Sequence, residues 1–228
     1  MSNPNDTNAE EEEAYDYLFG FGSVMNTTTH APWLQNANEK VAALPGAVAT
    51  LKKSFGYERE LNFRSSTGFT ALGVSQSEHG EANDINGVVF RVPRSEIPSF
   101  DRREVGYKKV EVLLDFLEFQ PQIPGCNQQT QLAFCPNDRI WLYVPLPSHT
   151  TYADENHPLL QSYVDTVLQG CLEWGGEPMA EQFILTSGGW STYFLNDTPS
   201  SRRPWLFRKE YNTIDRLLKK YSERTHYG

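Results

Sequence analysis

Two short segments carry residue types that can do chemistry. In Tyr17-Leu18-Phe19-Gly20-Phe21-Gly22-Ser23-Val24-Met25 an apolar run ends in glycines, the pattern of a strand entering a turn that presents backbone N–H groups. In Phe100-Asp101-Arg102-Arg103-Glu104-Val105-Gly106-Tyr107 a carboxylate, Glu104, stands at a bend between a short helical segment and a new strand. A nest of backbone donors beside a sheltered carboxylate suffices to hold an amino acid and move its proton. Taken singly, each segment has a plainer explanation. A lone glycine turn serves equally as a tight hairpin, and a glutamate among Arg102, Arg103, Lys108 and Lys109 is by default a solvated ion-pair partner.

Other chemistries lack their residues. Gly20 to Met25 resembles half of a dinucleotide fingerprint, but Met25 stands where the third glycine belongs and no acidic residue follows at the required distance. There is no Walker-type Gly-Lys-Ser/Thr and no Gly-x-Ser-x-Gly elbow. His30, His79, His149, His157 and His226 have no zinc spacing, and the cysteines form no Cys-x-x-Cys pair. Thr186-Ser187-Gly188-Gly189-Trp190 and Arg202-Arg203-Pro204-Trp205 read as surface loops over one end of a sheet.

The elements that must position the two segments follow from periodicity. Tyr17 to Phe21 reads as a buried strand, and Val48 to Tyr57 and Thr70 to Gln76 as two more. His79 to Asp84 is a polar loop, and Asn86-Gly87 leads into a strand over Val88 to Val92 stopped by Pro93. Ser95 to Arg103 suits a short helix with Ser95 as cap and Pro98 in its first turn. From Tyr107 to Phe116 the alternation sets Val110, Val112, Leu114 and Phe116 on one face of a half-buried strand. Pro121 to Gln131 is a loop, and Ile140 to Val144 a further strand. Helices follow: Pro158 to Trp174, ended by Gly175-Gly176, then Glu177 to Leu185, then Glu210 to Arg224 with Tyr211, Ile214, Leu218 and Tyr221 at helical spacing. Strands first and helices mostly later, without strict alternation, predict an α+β fold: one domain with a mixed, barrel-like sheet flanked by helices.

The composition fits. Of 228 residues, 39% are hydrophobic and 21% charged, globular values. The net charge of −9 argues against nucleic-acid or anionic-membrane partners, which need a positive face. No apolar stretch approaches the ~18 residues of a membrane span, and no secretory leader is visible. Cys126, Cys135 and Cys171 are few, odd in number and widely spaced, which suits a reducing compartment, so the expectation is a soluble cytoplasmic protein. Residues 1–14, with Glu10 to Glu13, read as a disordered acidic tail, leaving 15–228 as the domain.

Taken together, the segments resemble the γ-glutamylcyclotransferase family, including its avirulence-induced-gene-like branch. That family's first strand ends in Tyr-Gly-Ser, matched here by Phe21-Gly22-Ser23. Its Asn-Gly-Val strand entry is matched by Asn86-Gly87-Val88, and its Leu-Asp-x-x-Glu by Phe100-Asp101-Arg102-Arg103-Glu104, followed by a Gly-Tyr at Gly106-Tyr107. Gln161-Ser162-Tyr163-Val164, with Gly170 downstream, is similar to the family's tyrosine-bearing helix. The resemblance spans Tyr17 to about Gly176. It implies a cofactor-independent enzyme acting on a small γ-glutamyl substrate, closing its glutamyl group to 5-oxoproline and releasing an amine or amino acid. Glu104 would be the general acid/base. Phe21, Gly22, Ser23 and Val24 would hold the glutamyl group, with Tyr107 and Tyr163 as hydroxyl groups around it. Phe21 in place of the family tyrosine, and Val24-Met25, depart from the pattern and bear on substrate selectivity. A non-catalytic binding protein on the same fold, or a lyase specific for γ-glutamylamines, is the alternative; leaving group and oligomeric state are not specified by these residues.

Overall fold

The computed structural model describes residues 14–29, 44–77, 82–121, 130–202 and 209–227. The acidic tail up to residue 13, His30, His79, Cys126, most of the 121–131 loop and the Arg203-Pro204-Trp205 part of the basic–aromatic patch lie outside them.

The first sheet is built around β1 (Tyr15–Gly20). Tyr17, Leu18 and Phe19 are all buried, so this strand is covered on both faces and reads as a continuous apolar run. It pairs antiparallel with β5 (Ile85–Pro93), Gly20 opposite Val88, and parallel with β8 (Ile140–Pro145), Tyr17 opposite Ile140. With β2 (Gly46–Leu51), β6 (Tyr107–Glu111) and β7 (Leu117–Phe119), the order is β6-β8-β1-β5-β2-β7. A second sheet has the order β10-β9-β4-β3, formed by β3 (Tyr57–Arg64), β4 (Thr70–Gln76), β9 (Leu159–Leu160) and β10 (Phe194–Leu195). The sheets come together where β4 crosses the end of β8: a Cβ on Gly73 would stand 2.6 Å from the Pro145 ring, so only glycine permits that approach. The fold is thus α+β with mixed sheets, as expected, but the described strands form two sheets rather than one barrel-like sheet, and no closed barrel is present among them.

Helix α1 (Ile97–Arg103) connects β5 to β6, and α2 (Gln161–Thr186) lies across β5 and β2. Val164, Val167, Leu168, Cys171 and Trp174 are buried on α2, and Trp174 meets Phe90 of β5 edge-on at 5.5 Å. Burying one side chain such as Phe90 stabilises the fold by about 1.5–3 kcal/mol. Gly176 (φ 65°, ψ −161°) breaks α2 into two helices at the boundary its Gly-Gly signal predicts. Two short helical turns, α3 (Thr198–Ser201) and α5 (Ser222–Thr225), flank α4 (Lys209–Lys220), which buries Ile214, Leu217 and Leu218 against α2. Tyr221, placed on that stripe by its spacing, falls just past the helix end.

Several boundaries differ from expectation, each for a local reason. The strand expected over Val48–Tyr57 is cut by a 3₁₀ turn at Lys53–Phe55 and by Gly56 in the left-handed region (φ 82°), so the chain leaves the first sheet and starts β3 in the second. Asn86 and Gly87 lie inside β5 instead of forming a turn before it. Ser95 does not cap α1; it sits in a 3₁₀ turn, Arg94–Glu96, while Pro98 is in the first turn as expected. The Tyr107–Phe116 strand stops at Glu111, and a 3₁₀ turn at Leu114–Phe116 leaves Leu114 exposed. The Thr186–Trp190 turn packs on β3 rather than over a sheet end: Leu61 N–H donates to Gly188 O at 3.0 Å and Ser187 is fully buried.

Candidate active site

The turn after β1 is forced by two close contacts. A Cβ on Gly20 would stand 2.6 Å from Val24 Cγ1 and 2.8 Å from the Phe90 ring, and one on Gly87 would stand 2.4 Å from Gly20 O. With both side chains absent, the strand folds directly into a 3₁₀ turn at Ser23–Met25, with Gly22 at its start. Met25 and Asn26 donate back to the carbonyls of Gly22 and Ser23 at 3.0 and 3.1 Å, while the N–H of Ser23, at the head of the turn, has no acceptor within it. Helix α2 fixes this turn. Asn26 Nδ2 donates to Thr166 O and Gln169 Oε1, each at 3.2 Å; Trp174 Nε1 donates to Met25 O at 2.9 Å; and Thr27 N–H donates to Glu173 Oε2 at 3.1 Å. The helix comes this near because residue 170 is glycine: a Cβ there would lie 2.7 Å from Asn26 N and Met25 C.

Glu104 is the residue on which α1 ends. Its N–H donates to Phe100 O at 2.9 Å, and the chain reverses through Gly106 (φ 92°) into β6. The carboxylate is largely buried, with Oε1 3.0 Å from Arg103 Nη1, and the other terminal nitrogen of Arg103 reaches Ser23 Oγ at 3.4 Å. Burial raises the pKa of Glu104 above the ordinary glutamate value, and Arg103 opposes that rise.

Two tyrosines bond to the backbone of one residue of β4, Leu72. Tyr107 Oη donates to Leu72 O at 2.9 Å, and Leu72 N–H donates to Tyr163 Oη at 3.0 Å. The hydroxyls are therefore inequivalent. Tyr107 has spent its proton and turns lone pairs to the cavity, whereas Tyr163 has accepted a bond and keeps its proton to give. Burial raises both phenol pKa values, so both stay protonated at neutral pH. Tyr143 Oη donates to Asp101 Oδ1 at 2.8 Å, and Lys109 Nζ donates to the other oxygen of that carboxylate at 2.9 Å.

These groups surround an inner cavity of about 60 Å³. Its walls include Phe21, Gly22, Ser23, Val24, Glu104, Tyr107 and Tyr163, so every sequence-predicted site residue comes to one place, together with Leu72, Phe100 and Tyr143. Leu72 contributes its backbone N–H and C=O and has no sequence signal. Tyr143 had one: a phenol in the otherwise apolar run Ile140–Val144. Ser23, Glu104, Tyr107 and Tyr163 also border an outer cavity of about 460 Å³. A backbone-lined pocket with a buried carboxylate, one hydroxyl acceptor and one hydroxyl donor can orient an ammonium and a carboxylate and carry a proton between nitrogens. Among the described residues no three His, Cys, Asp or Glu side chains gather so as to hold a metal ion, and no helix is long and apolar enough to cross a membrane.

The architecture is shared with a solved structure described as a gamma-glutamyl cyclotransferase, at a TM-score of 0.50 and 16% identity, covering 89% of this chain and 99% of that one. YkqA from Bacillus subtilis aligns at a TM-score of 0.47 and 16% identity, over 74% of this chain and 52% of its own. A yeast cyclotransferase described as specific to glutathione aligns at 0.39 and 10% identity, over 94% and 99%. No family model and no curated protein matches the sequence. The first likeness shows a γ-glutamylcyclotransferase-like fold.

Proposed function

We propose that this chain is a γ-glutamylcyclotransferase that closes a γ-glutamyl group to 5-oxoproline and expels an amine, with Glu104 as general acid and base. The observation that carries this reading is the convergence of the Glu104 carboxylate and the Phe21–Val24 turn, separated by about eighty residues of sequence, on one cavity.

The substrate's α-carboxylate is held by backbone N–H groups of Gly22 and Ser23, in a turn lined further by Phe21 and Val24. Its α-ammonium lies against the Tyr107 lone pairs and the Glu104 carboxylate. The Tyr163 proton points to the carbonyl oxygen on which negative charge develops. Glu104 removes a proton from the ammonium, and the freed amine attacks the γ-carbonyl carbon of the same molecule. A carbon–nitrogen bond forms as the lactam closes, and the amide carbon–nitrogen bond breaks. Two protons leave the α-nitrogen in all and two arrive on the leaving nitrogen, so one carboxylate relaying them singly balances the reaction. Nucleophile and electrophile share a molecule, so most of the protein's work is to fold the substrate into attack geometry.

Support for this reading would be 5-oxoproline detected by mass spectrometry after incubation with γ-glutamyl-alanine, glutathione and a γ-glutamyl arylalkylamide. At least one of these is expected to be converted, with an equimolar amine. Absence of 5-oxoproline from all of them would overturn it.

A further inference from the structure

We propose, resting on the reading above, that the outer cavity takes a bulky, ring-bearing leaving group, so that γ-glutamyl amides of large apolar amines are preferred to those of small amino acids. The first argument is placement. The residues at the border of the two cavities are Ser23, Glu104, Tyr107 and Tyr163. A γ-glutamyl head filling the inner cavity brings its amide to Glu104, and whatever the amide nitrogen carries then extends into a space several times larger than the head's own.

The second argument is the walls. The Tyr107, Phe63 and His149 rings form a stack, with centroids 4.1 Å apart for Phe63–Tyr107 and 5.9 Å for Phe63–His149, the latter pair inclined by only 15°. His149 is held against the bend beside Glu104, where a Cβ on Gly106 would lie 3.0 Å from its ring. Phe69 also lines this cavity, 5.4 Å from the Tyr163 ring, and Val105, in the bend itself and 72% exposed, adds an apolar rim. A flat ring extends such a stack and buries area that a methyl side chain cannot reach.

The third argument is charge. Among the described residues lining this cavity Arg103 is the one cationic side chain, and it already lies 3.0 Å from Glu104. A small amino acid as leaving group would set its own carboxylate next to the amide nitrogen, close to the Glu104 carboxylate and with no second cation to meet it.

The test compares kcat/KM for γ-glutamyl-naphthylmethylamide and γ-glutamyl-alanine, measured as 5-oxoproline release. The ring-bearing substrate is expected to be favoured about tenfold or more. Ser66→Trp, at an exposed position lining the outer cavity, should pull that ratio toward unity by filling the space. Equal or better turnover of γ-glutamyl-alanine, or a ratio unmoved by Ser66→Trp, overturns this proposal and leaves the cyclotransferase reading standing. No 5-oxoproline from either substrate overturns this proposal, and none from glutathione as well overturns the cyclotransferase reading too.

Discussion

Glu104 owes its chemistry to position. An exposed glutamate beside two arginines would be an ordinary ion-pair partner; at the end of α1 it is largely buried, and its pKa moves up with Arg103 as the opposing influence. The base form must be ionised, so kcat/KM should fall on the acid side through a pKa above that of an unperturbed glutamate, and a limb at the ordinary value would contradict the assignment. The sign for stability is opposite in sense. A raised folded-state pKa means that ionised Glu104 costs stability, fully above the folded pKa and not at all below the unfolded one. The Tm of Glu104→Gln relative to the native chain should therefore rise with pH across that window. Phe21 supports a second expectation: its ring lines the inner cavity, and Phe21→Tyr adds a hydroxyl there. A neutral hydrogen bond contributes ~0.5–1.5 kcal/mol, or about 2- to 10-fold in KM for γ-glutamyl-alanine; an unchanged KM would mean that the ring serves the core alone. Glu104 and Phe21–Val24 were legible because bend and turn chemistry are local. The polarity of Tyr107 and Tyr163 was not, because the residue whose backbone fixes it, Leu72, belongs to a strand whose neighbours no local pattern names.

At the scale of elements, the site depends on how closely α2 approaches the turn after β1. Gly170 makes that approach possible and four hydrogen bonds from and to the turn maintain it. Gly170→Ala puts a methyl group into backbone atoms 2.7 Å away, and such overpacking costs about 1–3 kcal/mol. Because the displaced atoms belong to the substrate-holding turn, kcat/KM should fall along with stability, in contrast to the usual gain from replacing a helical glycine by alanine. Chemical denaturation and kinetics on the same variant check this; a stabilised, fully active Gly170→Ala would show that the turn does not need the helix. Most elements were legible from periodicity, including the α2 break at Gly176. One strand was missed outright. β3 reads Tyr-Glu-Arg-Glu-Leu-Asn-Phe-Arg, and its charged residues hide a strand because Arg59, a guanidinium on the Phe183 ring at 4.0 Å, is buried by tertiary partners.

For the whole molecule, Arg59 shows how the pieces are tied. Its guanidinium donates to Asn86 O and Oδ1 of β5, to Ser187 Oγ and to Thr186 Oγ1, the last three at 2.8 Å as is the first, joining both sheets to the C-terminal end of α2, where a cation also complements the helix dipole. The α+β class was legible from the order of strands and helices; the division into two sheets was not, since it follows from the reversal at Gly56 and the Gly73–Pro145 approach, which only three-dimensional packing discloses. At the inner cavity the assembled molecule presents the largely buried Glu104 carboxylate and the Phe21–Val24 turn to one space. The most direct measurement is 5-oxoproline release by the native chain and by Glu104→Gln, alongside calorimetric affinity of each for the same γ-glutamyl amide. A positioned acid–base group contributes ~10²–10⁴-fold, so the variant should lose turnover by that factor and keep its affinity within about threefold. A variant that cyclises at near-native rate would show that the proton moves through some other group.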